Sequence, residues 1–167
     1  MKVQKIALTL LLSASALFSA DVVMIERMSM ELATEVAKKS VESCRKKGYW
    51  VSAVVVDRSA NIQVVMRDTH AARFTIDIAQ QKANLVIMSG TNSSEFIAAR
   101  SDIRNELNNI KGLIMMSGGV AVKSGDILLG AVGVSGAPGG DIDAACANEA
   151  LKSLSERLAF AAMSDDE

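Results

Sequence analysis

Histidine occurs once in this sequence, proline once and cysteine twice, and aromatic residues make up only 4% of the 167 positions. One imidazole without a close cysteine pair cannot build an ordinary zinc site, since tetrahedral zinc draws its ligands from several such groups. So few rings leave little on which single-stranded bases could stack. Nor is there an excess of positive charge: 18 Lys and Arg stand against 19 Asp and Glu, a net charge of −1. A polyanion finds no field to attract it, and nucleic acid is excluded as a partner. No serine sits in GxSxG, the nearest approach at Gly133 to Gly136 missing by one residue, which removes the hydrolase elbow. GxGxxG is absent and no Gly-Lys-Ser/Thr follows Gly136, so neither a dinucleotide fingerprint nor a P-loop is present.

What is present begins at the N-terminus. Lys2 and Lys5 form a basic head, Ile6 to Leu12 an apolar run, and Ser13 to Ala20 a stretch of mostly small residues. This is the three-part pattern of a secretory signal peptide, and its apolar run is too short to span a bilayer. Cleavage is expected after Ala20, where the charged residues begin at Asp21, or after Ala16 with Ala14 at the minus-three position. The mature protein is then periplasmic or secreted, with no stable membrane span after processing. Residues 21–163 suffice for a single domain, and 164–167 form an acidic tail. Export places Cys44 and Cys146 in an oxidising compartment, where they either pair as a disulfide or pack as two buried thiols.

Along the domain, Leu32, Ala33, Val36, Ala37, Val41 and Cys44 form a helical stripe that Ser29 can cap and Gly48 ends. Val51–Val56 and Ile62–Met66, parted by a polar loop, read as an antiparallel hairpin. Thr75 is placed to cap a helix bearing Ile76, Ala79, Ala83 and Val86, which Gly90 stops. Asn92 and Glu95 have capping-box spacing before a further one or two helices. Three apolar runs follow, Leu113–Met116, Val120–Lys123 and Ile127–Ser135, the last two a second hairpin, and a closing helix is expected from about Ile142 to Ala161. The order α-β-β-α-(α)-β-β-β-α, with hairpins in place of strand–helix alternation, predicts an α+β fold. It is a central antiparallel sheet covered by helices, a profilin-like layered architecture.

Two places can carry chemistry. Gly130, Gly133, Gly136 and Gly139 recur every third residue, so other elements can lie close along this strand, and Ala137–Gly140 can turn tightly before Asp141 or Asp143 caps the next helix. With Gly136 and Gly139 expected at positive φ, this is either a tight structural turn or an anion and ligand contact at Gly136, Gly139 and Gly140. The second place is the loop after the first hairpin, where His70 joins Arg67, Asp68 and Arg73 in the only stretch combining an imidazole with cations. Met66 reads as core filler or as a thioether ligand. Arg73 and Lys82 read as solvated cations or as partners of an acidic ligand group.

The C-terminal GAVGVSGAPGGDIDAACANEAL, preceded by SGGVAVKSGDILL, resembles the signature of the GlcG/HbpS haem-binding protein family, related to the C-terminal domain of PduO-type proteins. VVVDRSANIQVVMRDTHAARFTIDIAQQKA is similar to that family's hairpin and following helix, so the resemblance runs over nearly all of Met28 to Leu158. It implies an antiparallel sheet with helices on its faces, homo-oligomers and haem binding. Ala121 stands where the family usually has proline, and His70 lies where members often carry other residues, so no axial ligand carries over. On the residues themselves, haem iron is expected near His70, with Arg73 or Arg67 on the propionates and Met66 on the neighbouring strand. The competing readings are a small-molecule or corrinoid-related enzyme or accessory using the glycine turn, and an oligomeric interaction module of a sensing system.

Overall fold

The computed structural model describes residues 25–163; the expected signal peptide, 1–20, and the expected acidic tail, 164–167, lie outside them. Helix α1 (Met30–Lys46) starts at Ser29, whose hydroxyl accepts from the Leu32 N–H at 3.2 Å, and ends before Gly48 at φ +84°. Strands β1 (Ser52–Asp57) and β2 (Ile62–Arg67) form the first hairpin. Helix α2 (Phe74–Ser89) stops at left-handed Gly90. Short helices α3 (Ser93–Ala99) and α4 (Arg104–Asn108), joined by a 3-10 turn, lead to the second hairpin, β3 (Gly119–Ser124) with β4 (Ile127–Ser135). Helices α5 (Gly140–Lys152) and α6 (Ser155–Met163) follow. The sheet order is β2-β1-β4-β3 with every pair antiparallel. This is the α+β layered fold expected.

Alternation along β1 divides its side chains between two cores. Ala53 and Val55 face α1 and α5 with Val132 and Val134, whereas Val54 and Val56 face Ala79, Ala83 and Val86 of α2. Helix α2 comes so close to β4 that a Cβ on Gly133 would lie 1.8 Å from the Ala79 carbonyl oxygen. Glycine is the only residue that admits that approach. On the other face, a disulfide joins Cys44 of α1 to Cys146 of α5.

Four local expectations are corrected. Residues 113–116 form no strand: Met115 takes the Asn108 Oδ1 as acceptor for its N–H at 2.8 Å and packs with Leu85 and Leu107. Thr75 lies inside α2 rather than at its cap, and its hydroxyl donates to the Ala72 carbonyl. Asn92 and Glu95 make no capping box, because the Asn92 Oδ1 accepts from the Ala121 N–H of β3 and its Nδ2 donates to Glu95. The closing helix is two helices, interrupted where the Ser153 hydroxyl bonds the Ala150 carbonyl and Leu154 turns into the core.

Candidate functional site

Residues 67–73 leave the end of β2 and cross to α2 through a loop fixed from three sides. The Asp68 N–H donates to the Val51 carbonyl at 3.0 Å, and the Ala71 N–H returns to the Asp68 carbonyl. The buried Asp68 carboxylate accepts from Arg45 Nε at 2.8 Å and from the Thr69 N–H at 2.7 Å. The Arg45 hydrogen bond, more than offsetting burial, holds this carboxyl below the usual carboxylate range. Arg67 Nη1 donates to the carbonyl of Ala71 at 2.5 Å, and to those of Asp68 and Thr69 at 3.4 Å.

His70 stands exposed at the tip of this loop, its ring edge-on to Trp50 at 5.1 Å between centroids and 71° between planes. Trp50 precedes β1 and is itself half exposed. The chain leaving β4 passes over it at Gly136, whose φ of +133° and 2.6 Å approach of a notional Cβ to the Trp50 carbonyl both require glycine. Tyr49, Trp50, His70, Ala71, Thr75, Gly136 and Pro138 thus share one open cleft of about 340 Å³. Its walls are largely aromatic and aliphatic, with the imidazole on one lip.

The glycine turn is anchored from beneath. Lys82 of α2 is fully buried, with its Nζ donating to Asp143 Oδ2 at 2.7 Å and to the Val134 carbonyl at 3.0 Å. The other oxygen of Asp143 accepts from the Ala137 N–H at 3.0 Å. Burial pushes the Asp143 carboxyl up, while Lys82 and the Ala137 N–H pull the other way. Lys82 is therefore no solvated cation, and Asp143 does not cap α5: the capping residue is Gly139, without a side-chain bond. Gly139 is extended at φ −146° rather than positive, and Gly140 packs under the Ser117 carbonyl. An anion would find the Ala137 N–H already taken by the chain's own carboxylate.

The structure brings His70 and Gly136 to one cleft and leaves the other candidates elsewhere. Gly140 packs against the Ser117 backbone, and Gly139 has only the Asp141 side chain beside it. Arg73 does not line the His70 cleft; its guanidinium lies 4.4 Å over the Phe74 ring. Met66 points to the α1 side of the sheet and lines, with Arg67, a separate cleft of about 480 Å³. Among the described residues no three His, Cys, Asp or Glu side chains group as metal ligands. Sequence reasoning missed Tyr49 and Trp50, although the chain's only tyrosine and only tryptophan are adjacent. A pair of scarce aromatics just before a strand was the available signal.

A family model described as "Haem degrading protein HbpS-like" matches residues 28–152. A double mutant of HbpS from Streptomyces reticuli is 28% identical over 92% of this chain and 99% of that one, with a TM-score of 0.75. Protein ORFY of Klebsiella pneumoniae, 24% identical, covers 81% of this chain and 95% of its own at a TM-score of 0.73. A PduOC:heme complex, 21% identical, covers 77% and 95% at 0.67. The last two likenesses are of fold. No curated protein matches in sequence.

Proposed function

This chain belongs to the HbpS-like family, and on that premise we propose that it binds haem in the cleft between Trp50 and His70. The observation that carries the reading is the sole histidine held edge-on to the sole tryptophan over a cleft with aromatic and aliphatic walls. These residues fit the group. An exposed imidazole offers a nitrogen lone pair to iron, the indole and phenol rings offer flat apolar surface to a macrocycle, and Arg73 is the nearby cation for a propionate. Bound haem would supply an iron whose remaining coordination position can exchange ligands. Arg67, with its Nη1 engaged by three carbonyls, and Met66, on the other face, are weaker candidates than Arg73.

The protein acts outside the cytoplasm, as a haem scavenger or as the haem-sensing accessory of another component. The basic head and apolar run at the N-terminus support export, and a disulfide is at home in that compartment. It works as a homo-oligomer, a reading supported by the exposure of Ile62 and Val65 on the edge strand β2 and of Phe74 at the start of α2. A cleft this open covers only part of a macrocycle, so a second copy can cover the rest. Absorption titration of the full-length purified protein with haemin tests the reading: a saturable Soret shift at one haem per chain or per pair of chains is expected. A spectrum that stays that of free haemin would overturn it.

A further inference from the structure

We propose that the cleft along the outer edge of β3 binds a single free α-amino acid with a branched aliphatic side chain. The cleft measures about 350 Å³, at the small end of the roughly 300–1,000 Å³ range of ligand sites. It shares no lining residue with the cleft of Trp50 and His70.

β3 is an outer strand of the sheet, so every second residue turns its backbone N–H and C=O away from β4. Gly119 and Ala121 are outward residues. The Ser93 hydroxyl accepts from the Gly119 N–H at 2.9 Å and donates to the Gly119 carbonyl at 3.1 Å. Asn92 Oδ1 accepts from the Ala121 N–H at 3.0 Å. An added strand therefore finds this part of the edge already closed. The Ala121 carbonyl faces the same way as its N–H and has no hydrogen-bond partner among the described residues. One open acceptor beside a small cleft suits a single residue, not a peptide.

The charges around that carbonyl define the ligand. Glu95 and Lys123 both line the cleft, both are exposed, and neither has an ion-pair partner among the described residues. Asn92 Nδ2 donates to Glu95 Oε1 at 2.9 Å. One amide thus ties the Glu95 carboxylate to the Ala121 backbone, and the two acceptors meet at one place, fitted to an ammonium. Lys123 shares the Ala121 face of β3, since Val122 and Ser124 turn to the opposite face, toward the α1 side core and the Leu158 carbonyl. It stands two residues along the strand from the ammonium place, where a carboxylate would lie. Opposite charges that share a small cleft without pairing suit a ligand that carries both. Leu151 of α5 and Leu158 of α6 close the cleft from the other face of the sheet and offer apolar surface to the side chain.

L-Leucine is the probe, titrated into the full-length protein and followed by methyl NMR of Leu151 and Leu158. Saturable shifts at these methyls are expected. N-acetyl-leucine lacks the ammonium, leucinamide the carboxylate and glycine the side chain, and each should bind at least about tenfold more weakly. Glu95→Gln keeps an acceptor for Asn92, so its melting temperature should match the parent while leucine affinity falls about tenfold. Lys123→Gln, on an exposed side chain, should do the same. His70→Ala should keep leucine binding, which separates this site from the haem reading. Absence of shifts, binding of any of the three analogues as tightly as leucine, unchanged affinity in either folded charge variant, or loss of binding in His70→Ala would each overturn the proposal.

Discussion

Lys82 and Asp143 sit at the residue scale where burial and charge meet. Each is nearly inaccessible, and each completes its hydrogen bonding with backbone of the turn it supports. Removing one partner leaves the other charge uncompensated in the core. Lys82→Met should therefore lower unfolding free energy by about 3–5 kcal/mol, and pairing it with Asp143→Leu should recover most of that, as urea unfolding would measure. The lysine could have been read as buried. It falls three residues after Ala79 and four before Val86, within the apolar stripe of α2, but a charged residue there has an inward meaning only once its partner, 61 positions away, is known. Asp68 gives a pH-dependent case of opposite sign. Its folded pKa is depressed, so the unfolded chain binds more protons below neutrality, and its stabilisation is present at pH 7 and lost as the pH falls through about 4 and below. Asp68→Asn should melt earlier than the parent at pH 7, and the gap should close in acid.

Among elements, the two hairpins and the first two long helices are legible because each carries its own period and its own stop, such as Gly48 and Gly90. Residues 113–116 are not legible in that way. Four apolar residues in a row suit a strand or a buried loop equally, and here the backbone is satisfied by Asn108 instead of a neighbouring strand. The glycines of β4 show the same limit: their spacing announces a close approach, whereas which glycine meets what depends on how α2 crosses the sheet. Gly133→Ala would drive a methyl into the Ala79 backbone and should cost about 2–3 kcal/mol by overpacking. Gly139→Ala meets only the flexible Asp141 carboxylate at an extended φ and should cost less than about 1 kcal/mol. Chemical denaturation of the two variants side by side tests whether close packing, rather than turn strain, explains the repeat.

At the scale of the whole molecule, one covalent link and one cleft organise the account. The disulfide closes a loop of 102 residues between α1 and α5, and opening it should destabilise the fold by about 2–5 kcal/mol, seen as a lower melting temperature under reductant. Light scattering should find a species heavier than a single chain of 17.7 kDa. The candidate site was half legible. His70 was marked by its rarity and its loop, but Trp50 and Gly136 reach it only because β1 and β4 pair antiparallel, with Ser52 opposite Ser135. That long-range register is what no local pattern reports. The central claim, that His70 ligates haem beside Trp50, is tested most directly by the haemin spectrum of His70→Ala with and without added imidazole. The account predicts that the parent's Soret band is lost in the variant and restored by imidazole. An unchanged band in folded His70→Ala would contradict it.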